Sequence, residues 1–390
     1  MTLSRGTFLV RRSNIRPFTT NPFDFASLSL ALHLRSRRKP RTFAIENFNN
    51  RMLKKILFFF FIIGLVVGAF AFYTVTVAPV VPDGEPIVIT IPAGANYEQV
   101  MDSLAAKGVE PNRVIFDPIA ERMTWKRDPM RSGRYRLTSG DSYVDLIRQL
   151  RSGGRETVKV ILTIEREPEN VAAKAARFLD GDSLNFVQLL QDEDYIKSIG
   201  YTKETLQTLF IPNTYEMYWD ATPKEFVERM IKEHDRYWNE ERRAKAKKQG
   251  LTPAKAYTLA SIVHSESLAR KEQPRIAGLY LNRLKKGIKL QSDPTAVFAT
   301  RAFGVKRVLN VHIEVDHPYN TYFNYGLPPG PIAMPEISTI EAVLNPEEHD
   351  YVYMCAIGDN SGLHNFSKTL AGHGRNIGVY VKNLKARGLR

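Results

Sequence analysis

A single cysteine in 390 residues, Cys355, has no partner within the chain, which excludes an intramolecular disulfide framework and a cysteine-based zinc ribbon. Histidine is sparse as well, with eight in all, no His-Glu-x-x-His motif and no zinc-like spacing between His364 and His373, so neither metal nor cofactor is expected. A Walker A loop, a Gly-x-Ser-x-Gly elbow and internal repeats are missing, and Gly372-His373-Gly374 is too short for a dinucleotide loop. Acidic residues are the scarcer charge, 41 against 55 basic ones, for a formal net charge of +14 at pH 7. That excess is not spread along the chain. Residues 1–51 hold ten Lys and Arg against Asp24 and Glu46, a local balance of +8. The remaining +6 is compatible with a domain facing an anionic polymer and equally with ordinary solvated lysines, and nucleic acid is not expected as a partner.

What is present begins with an uncharged run at residues 56–77, ILFFFFIIGLVVGAFAFYTVTV. As a helix it spans roughly 33 Å, about one hydrocarbon core, and predicts a single membrane crossing. Arg51, Lys54 and Lys55 precede the run, whereas Asp83 and Glu85 follow it and no basic residue recurs before Lys107. The positive-inside tendency then places the N-terminus in the cytoplasm and the large C-terminal part outside. A cleaved signal peptide is the rival reading, but its apolar core is usually shorter and ends in small residues. Met52 opens MLKKILFFFF, itself a complete anchor beginning, so residues 1–51 are expected to be a disordered extension or to reflect a misplaced start codon.

Beyond the linker PVVPDGEP at residues 79–86, strand and helix signals alternate within about 70 residues. Residues 86–91 read as a strand, Asn96 as a helix N-cap, residues 97–107 and those from about 112 as helices, residues 133–137 as a second strand and 141–150 as a third helix. A larger domain opens with a strand at residues 156–164. Thr222, Pro223 and Glu225 form a capping box whose helix is expected to run to Gly250, and Thr252-Pro253 opens another. Ala256, Leu259, Ala260 and Val263 mark the apolar face of that helix, and Glu266 lies near its C-terminal end. Further helices are expected at about residues 273–286, near 339–344 and from about 369, with a strand at 351–357. Residues 306–335, rich in Pro, Asn, Tyr and Gly, read as an ordered loop lining a site. The chain is thus α+β, divided into the extension (1–51), a transmembrane helix (56–77), a small module (83–155) and a larger domain (156–387).

Five ordered motifs resemble the YceG-like endolytic murein transglycosylase family: LASIVHSES at residues 259–267, LQSDPT at 290–295, YNTY at 319–322, GLPPGPI at 326–332 and HNFS at 364–367. The likeness extends over about residues 52–385, since the anchor, the small module and SGRYRL at 132–137 fit the same layout. The resemblance implies a LysM-like small module and a YceG-like catalytic domain in the inner membrane's outer face, cleaving the MurNAc–GlcNAc bond of nascent peptidoglycan strands to leave 1,6-anhydroMurNAc ends. It also implies association with peptidoglycan synthases. The family's catalytic glutamate falls on Glu266, the second acidic position of its motif. The first position holds His264 here, and EREP at residues 165–168 replaces a Pro-Glu-Gly turn, a change expected to bear on how the two domains meet.

Cleaving a glycosidic bond needs a proton on the leaving oxygen and stabilisation of an oxocarbenium-like transition state. In a lytic transglycosylase the muramic acid's own C6 hydroxyl is the nucleophile, so one glutamate acts as acid and then as base. Glu266 in apolar surroundings would stay protonated near neutral pH; without the resemblance, a glutamate at a helix end reads as solvated or ion-paired. Gln291, Asp293, Tyr319, Asn320, Thr321, Tyr322 and His364 are then the expected sugar-binding residues. Asp293 reads equally as a helix N-cap before Pro294, Asn320 also as a turn stabiliser, and His364 and His373 also as structurally satisfied histidines. Residues 326–331 shape a rigid wall. Two other functions remain open: a hydrolase using Asp293 as second carboxylate, and a non-catalytic wall-binding scaffold.

Overall fold

A computed structural model of the protein describes residues 42–305 and 307–389. The chain divides into a first unit ending at Gly68 and a second, Ala69–Arg390. Helix α1 (Thr42–Thr76) is 35 residues long, and an 18-residue stretch within its segment Asn50–Thr76 has a mean hydropathy of 2.7. It is the one helix among the described residues long and apolar enough to cross a membrane. α1 thus begins ten residues before Met52, inside the stretch expected to be a disordered extension or to reflect a misplaced start codon. No Pro or Gly stands between Pro40 and Gly64, so nothing stops the helix from growing back from its apolar run. The rest of the 1–51 extension lies outside the described residues.

The second unit is mixed α+β, as read from the sequence, with two-stranded antiparallel sheets and helices packed on them. The order β1 (Ile87–Ile91), α2 (Tyr97–Ala105), α3 (Arg113–Arg122), β2 (Gly133–Leu137), α4 (Tyr143–Arg148) follows the predicted alternation. Asn96 caps α2 in a reciprocal box with Gln99, and Asn112 and Ser142 cap α3 and α4. β1 and β2 pair in register from Ile87 opposite Leu137 to Ile91 opposite Gly133. Their buried face meets Trp125, whose ring packs edge-on against Tyr97 at 5.7 Å and Phe116 at 5.6 Å.

Next come β3 (Thr157–Leu162), α5 (Pro168–Ala175), α6 (Ser183–Gln191), α7 (Glu193–Ser198), β4 (Asn213–Tyr218) and α8 (Pro223–Tyr237). β4 pairs with β3, and Val160, Leu162, Tyr215 and Met217 bury with Phe186, Phe210 and Phe226 in a second core. The helix expected to run from Thr222 to Gly250 is two helices. It stops at Trp238, whose indole is buried, and Asn239 caps a new one, α9 (Glu240–Lys248). Asn239 bonds the Arg242 amide through its side chain, which offers the backbone a fresh helix start in place of continuation.

The third core surrounds α10 (Pro253–Glu266), with α11 (Gln273–Lys285), α12 (Asp293–Thr300), the single turn α13 (Asn310–Ile313) and α14 (Ile337–Leu344). The chain ends with β5 (Tyr353–Ala356), β6 (His364–Ser367) and α15 (Leu370–Ala386). Pairing of Ala356 with His364 sets that histidine beside β5. The segment 165–168 is not where the module meets the rest. Glu165 O accepts from Met334 N and Gln207 Nε2 inside the larger part. The module is joined instead by Asp220, which takes bonds from Arg155 Nη2 at 2.5 Å and Ser132 Oγ at 2.8 Å.

Candidate active site

Helix α10 starts at Thr252, whose hydroxyl accepts from the Lys255 amide, and every residue from Ala256 to His264 is buried. Glu266 closes the helix where it emerges into a cleft of about 450 Å³. The residue is partly exposed, and its carboxyl group lies largely desolvated at the edge of the cleft. Two hydroxyls converge on one carboxyl oxygen: Tyr280 Oη donates to Oε1 at 2.7 Å and Ser292 Oγ at 2.5 Å. Among the described residues no group donates to Oε2, and that atom is not sealed from the cleft. Burial raises the Glu266 pKa above the ordinary carboxylate value; the two hydroxyl bonds oppose the rise, Asp293 adds to it and His364 lowers it. Desolvation dominates, so the proton is held to higher pH than on a free glutamate.

Local chain geometry explains these neighbours. Tyr280 and Arg283, three residues apart on α11, share one helix face toward the cleft. Ser292 occupies the N-cap position of α12, yet its hydroxyl makes no cap bond because it is committed to Glu266. Asp293 is therefore the first residue of α12 rather than its cap, and its Oδ1 accepts from Tyr322 Oη at 2.5 Å. Gln291 sits at φ +52°, a conformation a side-chain-bearing residue seldom adopts, and its Oε1 accepts from Arg283 Nη1 at 3.2 Å. From the opposite side, His364 Nδ1 lies 3.1 Å from Glu272 Oε2, and its backbone amide donates to Glu272 Oε1 at 3.0 Å.

Of the residues expected to bind sugar, Gln291, Asp293, Tyr322 and His364 line the Glu266 cleft. Asn320 and Thr321 do not. Asn320, 0% exposed, donates to Ile313 O and Val315 O at 2.9 and 2.7 Å and accepts from Tyr322 N. Thr321 Oγ1 accepts from Ser292 N at 3.0 Å and meets Thr295 Oγ1 at 2.7 Å. Both lie beneath the cleft and fix the loop that presents Tyr322 and Ser292. Tyr319 packs on Phe298 and faces a separate depression with Arg301 and Glu204. Segment 326–331 also stands away from Glu266. It is tied down just beyond, where Ile332 N donates to Ser261 Oγ, and at Gly330 a Cβ would collide with Glu204 O. His264 is buried with its Nδ1 3.5 Å from Thr339 Oγ1, and burial lowers its pKa. The departure from an acidic residue at that position thus falls between α10 and α14, two residues and a different helix face away from Glu266.

Tyr280, Ser292, Arg283, Glu272 and Tyr353 were not anticipated as part of the site. Ser292 stood inside the quoted LQSDPT motif, and the Tyr280/Arg283 spacing was a readable one-face signal. Glu272 carried no such mark, because its partner is 92 residues away.

Residues 89–378 match the YceG-like family. An endolytic murein transglycosylase of Bacillus subtilis (strain 168) is 29% identical over 336 residues, covering 82% of this chain and 92% of that protein. The endolytic murein transglycosylase of Streptococcus pneumoniae serotype 2 is 26% identical over 331 residues, or 76% of this chain and 59% of its own length. A crystal structure of a yceG-like protein from Listeria monocytogenes shares 26% identity with a TM-score of 0.49, covering 75% of this chain and 98% of that one.

Proposed function

This chain belongs to the YceG-like family, whose matched span contains Glu266 and every residue of its cleft, and we propose that it is an endolytic murein transglycosylase acting on peptidoglycan glycan strands. The observation that carries the reading is the asymmetry of Glu266: one carboxyl oxygen is fixed by two hydroxyls and the other is offered to the cleft. Glu266 Oε2 gives its proton to the oxygen leaving muramic acid C1, so the departing GlcNAc keeps a hydroxyl. The carboxylate so formed, steadied by Tyr280 and Ser292, takes the proton of the C6 hydroxyl as that oxygen bonds to C1. The 1,6-anhydro ring closes, Glu266 is protonated again, and no water is consumed. Gln291, Tyr322 and His364 bind the sugar around this step.

The β1-α2-α3-β2 order and the separate core support a LysM-like, glycan-holding module at residues 83–155, followed by the catalytic domain to residue 387. The apolar segment of α1, with Arg51, Lys54 and Lys55 on one flank, supports a single-pass inner-membrane anchor with a cytoplasmic N-terminus. Association with peptidoglycan synthases follows from action on nascent strands.

The test is product analysis of uncrosslinked glycan strands treated with the detergent-solubilised chain. Anhydromuramyl termini are expected, with cleavage falling about 10³-fold in Glu266→Gln. Reducing ends alone would replace the lyase with a hydrolase in which Asp293, on the same cleft wall, activates water. Strand binding without cleavage would leave a scaffold.

A further inference from the structure

Arg283 is a cation where cations are seldom found. It is 7% exposed, it forms no ion pair among the described residues, and it lines the Glu266 cleft. Its neutral partners hold it firmly: Nε donates to Val352 O at 2.6 Å, and Nη1 to Lys289 O at 2.9 Å and Leu290 O at 2.7 Å. Three main-chain carbonyls from two separate segments therefore fix the guanidinium plane. The Tyr353 ring lies 5.6 Å from its carbon. Nη2 is different. No described residue accepts from it and it is not among the sealed unpartnered atoms, so on this cleft-lining side chain it is the guanidinium nitrogen left for a partner. Charge without a carboxylate is costly to bury, and carbonyl bonds compensate it only in part. Burial accordingly lowers the Arg283 pKa, although the group stays charged at any physiological pH. A planar donor edge preorganised in this way recognises carboxylates.

We infer that Arg283 forms an anion subsite beside Glu266 that binds a carboxylate carried by the muramic acid unit. This rests on the transglycosylase reading above and adds the group that sets the sugar's register. A muramic acid differs from the neighbouring glucosamine in its lactyl ether, so a cation near the acid is a means of placing the muramic C1, rather than the glucosamine C1, against Glu266. The carboxylate has two sources: the lactyl group itself in a peptide-free unit, or an acidic residue of the attached peptide. Asp293, also on the cleft wall, is engaged by Tyr322 and does not pair with Arg283.

The experiment needs no variant at first. Inhibition of strand cleavage by wild-type chain is measured with N-acetylmuramic acid, its methyl ester, N-acetylglucosamine and N-acetylmuramyl dipeptide. The expected result is that the free acid or the dipeptide inhibits about ten-fold or more better than the ester and the glucosamine. Preference for the acid identifies the lactyl carboxylate; preference for the dipeptide identifies the peptide's. Equal inhibition by acid, ester and dipeptide, with strands still cleaved, overturns the subsite and leaves the transglycosylase reading standing. Absence of any strand cleavage overturns both. Arg283→Lys, which retains charge without the planar edge, should shrink the advantage of whichever carboxylate ligand is preferred, acid or dipeptide, over the ester while melting near the wild type; an unchanged advantage contradicts the proposal.

Discussion

The small module and the helices around Glu266 are buried to similar depth but with different chemistry. Inside the module the buried side chains are the aromatics Trp125, Phe116, Tyr97, Tyr135 and Tyr143 with aliphatics and methionines, and the buried polar one, Ser142, is a helix cap. Around α10 the interior also holds Ser261, His264, Glu272, Gln273, Arg283, Ser292, Asn320, Thr321 and Thr339. Each would cost about 1–3 kcal/mol if left unbonded, so the bonds that satisfy them constrain geometry tightly. The module is built for stability, whereas the region around Glu266 accepts a polar interior to hold one carboxyl and its neighbours in place.

The largest effect should come from the module. Trp125→Ala removes the centre of an apolar core and should cost about 3–5 kcal/mol, seen as a lowered thermal transition, while cleavage per folded molecule at low temperature stays near wild type. Loss of catalysis without loss of structure would blur the division. Asn320→Ala deletes bonds to two carbonyls and one amide beneath the cleft, and should cost about 2–3 kcal/mol and weaken cleavage together, because Tyr322 and Ser292 lose their support. A stability change with unaltered cleavage would make that loop a bystander. Tyr280→Phe should lower kcat about ten-fold with little change in melting. It removes a bond that lowers the Glu266 pKa, so the alkaline limb of the pH–rate profile, where the acid is lost, should move to higher pH.

The smallest effect is on stability. Because the folded Glu266 pKa is raised above its unfolded value, the protonated form favours folding; that contribution is complete below about pH 4 and is lost as pH rises through the folded pKa. Glu266→Gln should therefore melt no higher than wild type in acid and a few degrees higher as pH rises, read by parallel melts. No pH-dependent difference would mean that the carboxyl is not held neutral by its surroundings.

How much of this was legible depended on whether the signal was local. The Asn96, Thr222 and Thr252 caps and the apolar spacing of α10 are contained in a few adjacent residues, and they located the helices and Glu266 well. The break at Trp238 was missed because a polar, lysine-rich segment shows no apolar period to interrupt. β6 was missed as an element, and α12 was read only as one alternative with its cap one residue late, on Asp293 instead of Ser292, so the reason Ser292 and His364 reach the cleft was not legible. Asn320 and Thr321 sat in the right motif, but a sequence cannot say which side of a loop faces a cleft. Tyr280 and Glu272 depend on partners 14 and 92 residues away, and contacts of that kind exist only once the chain is packed.

The most direct test is the protonation state of Glu266 itself, followed by infrared difference spectra between wild type and Glu266→Gln across a pH series. A protonated carboxyl band that persists to higher pH than that of a free glutamate side chain is the predicted result. A band lost over the same pH range as that of a free glutamate would show an ordinary ionised carboxylate, unable to give the leaving oxygen its proton, and would contradict the account.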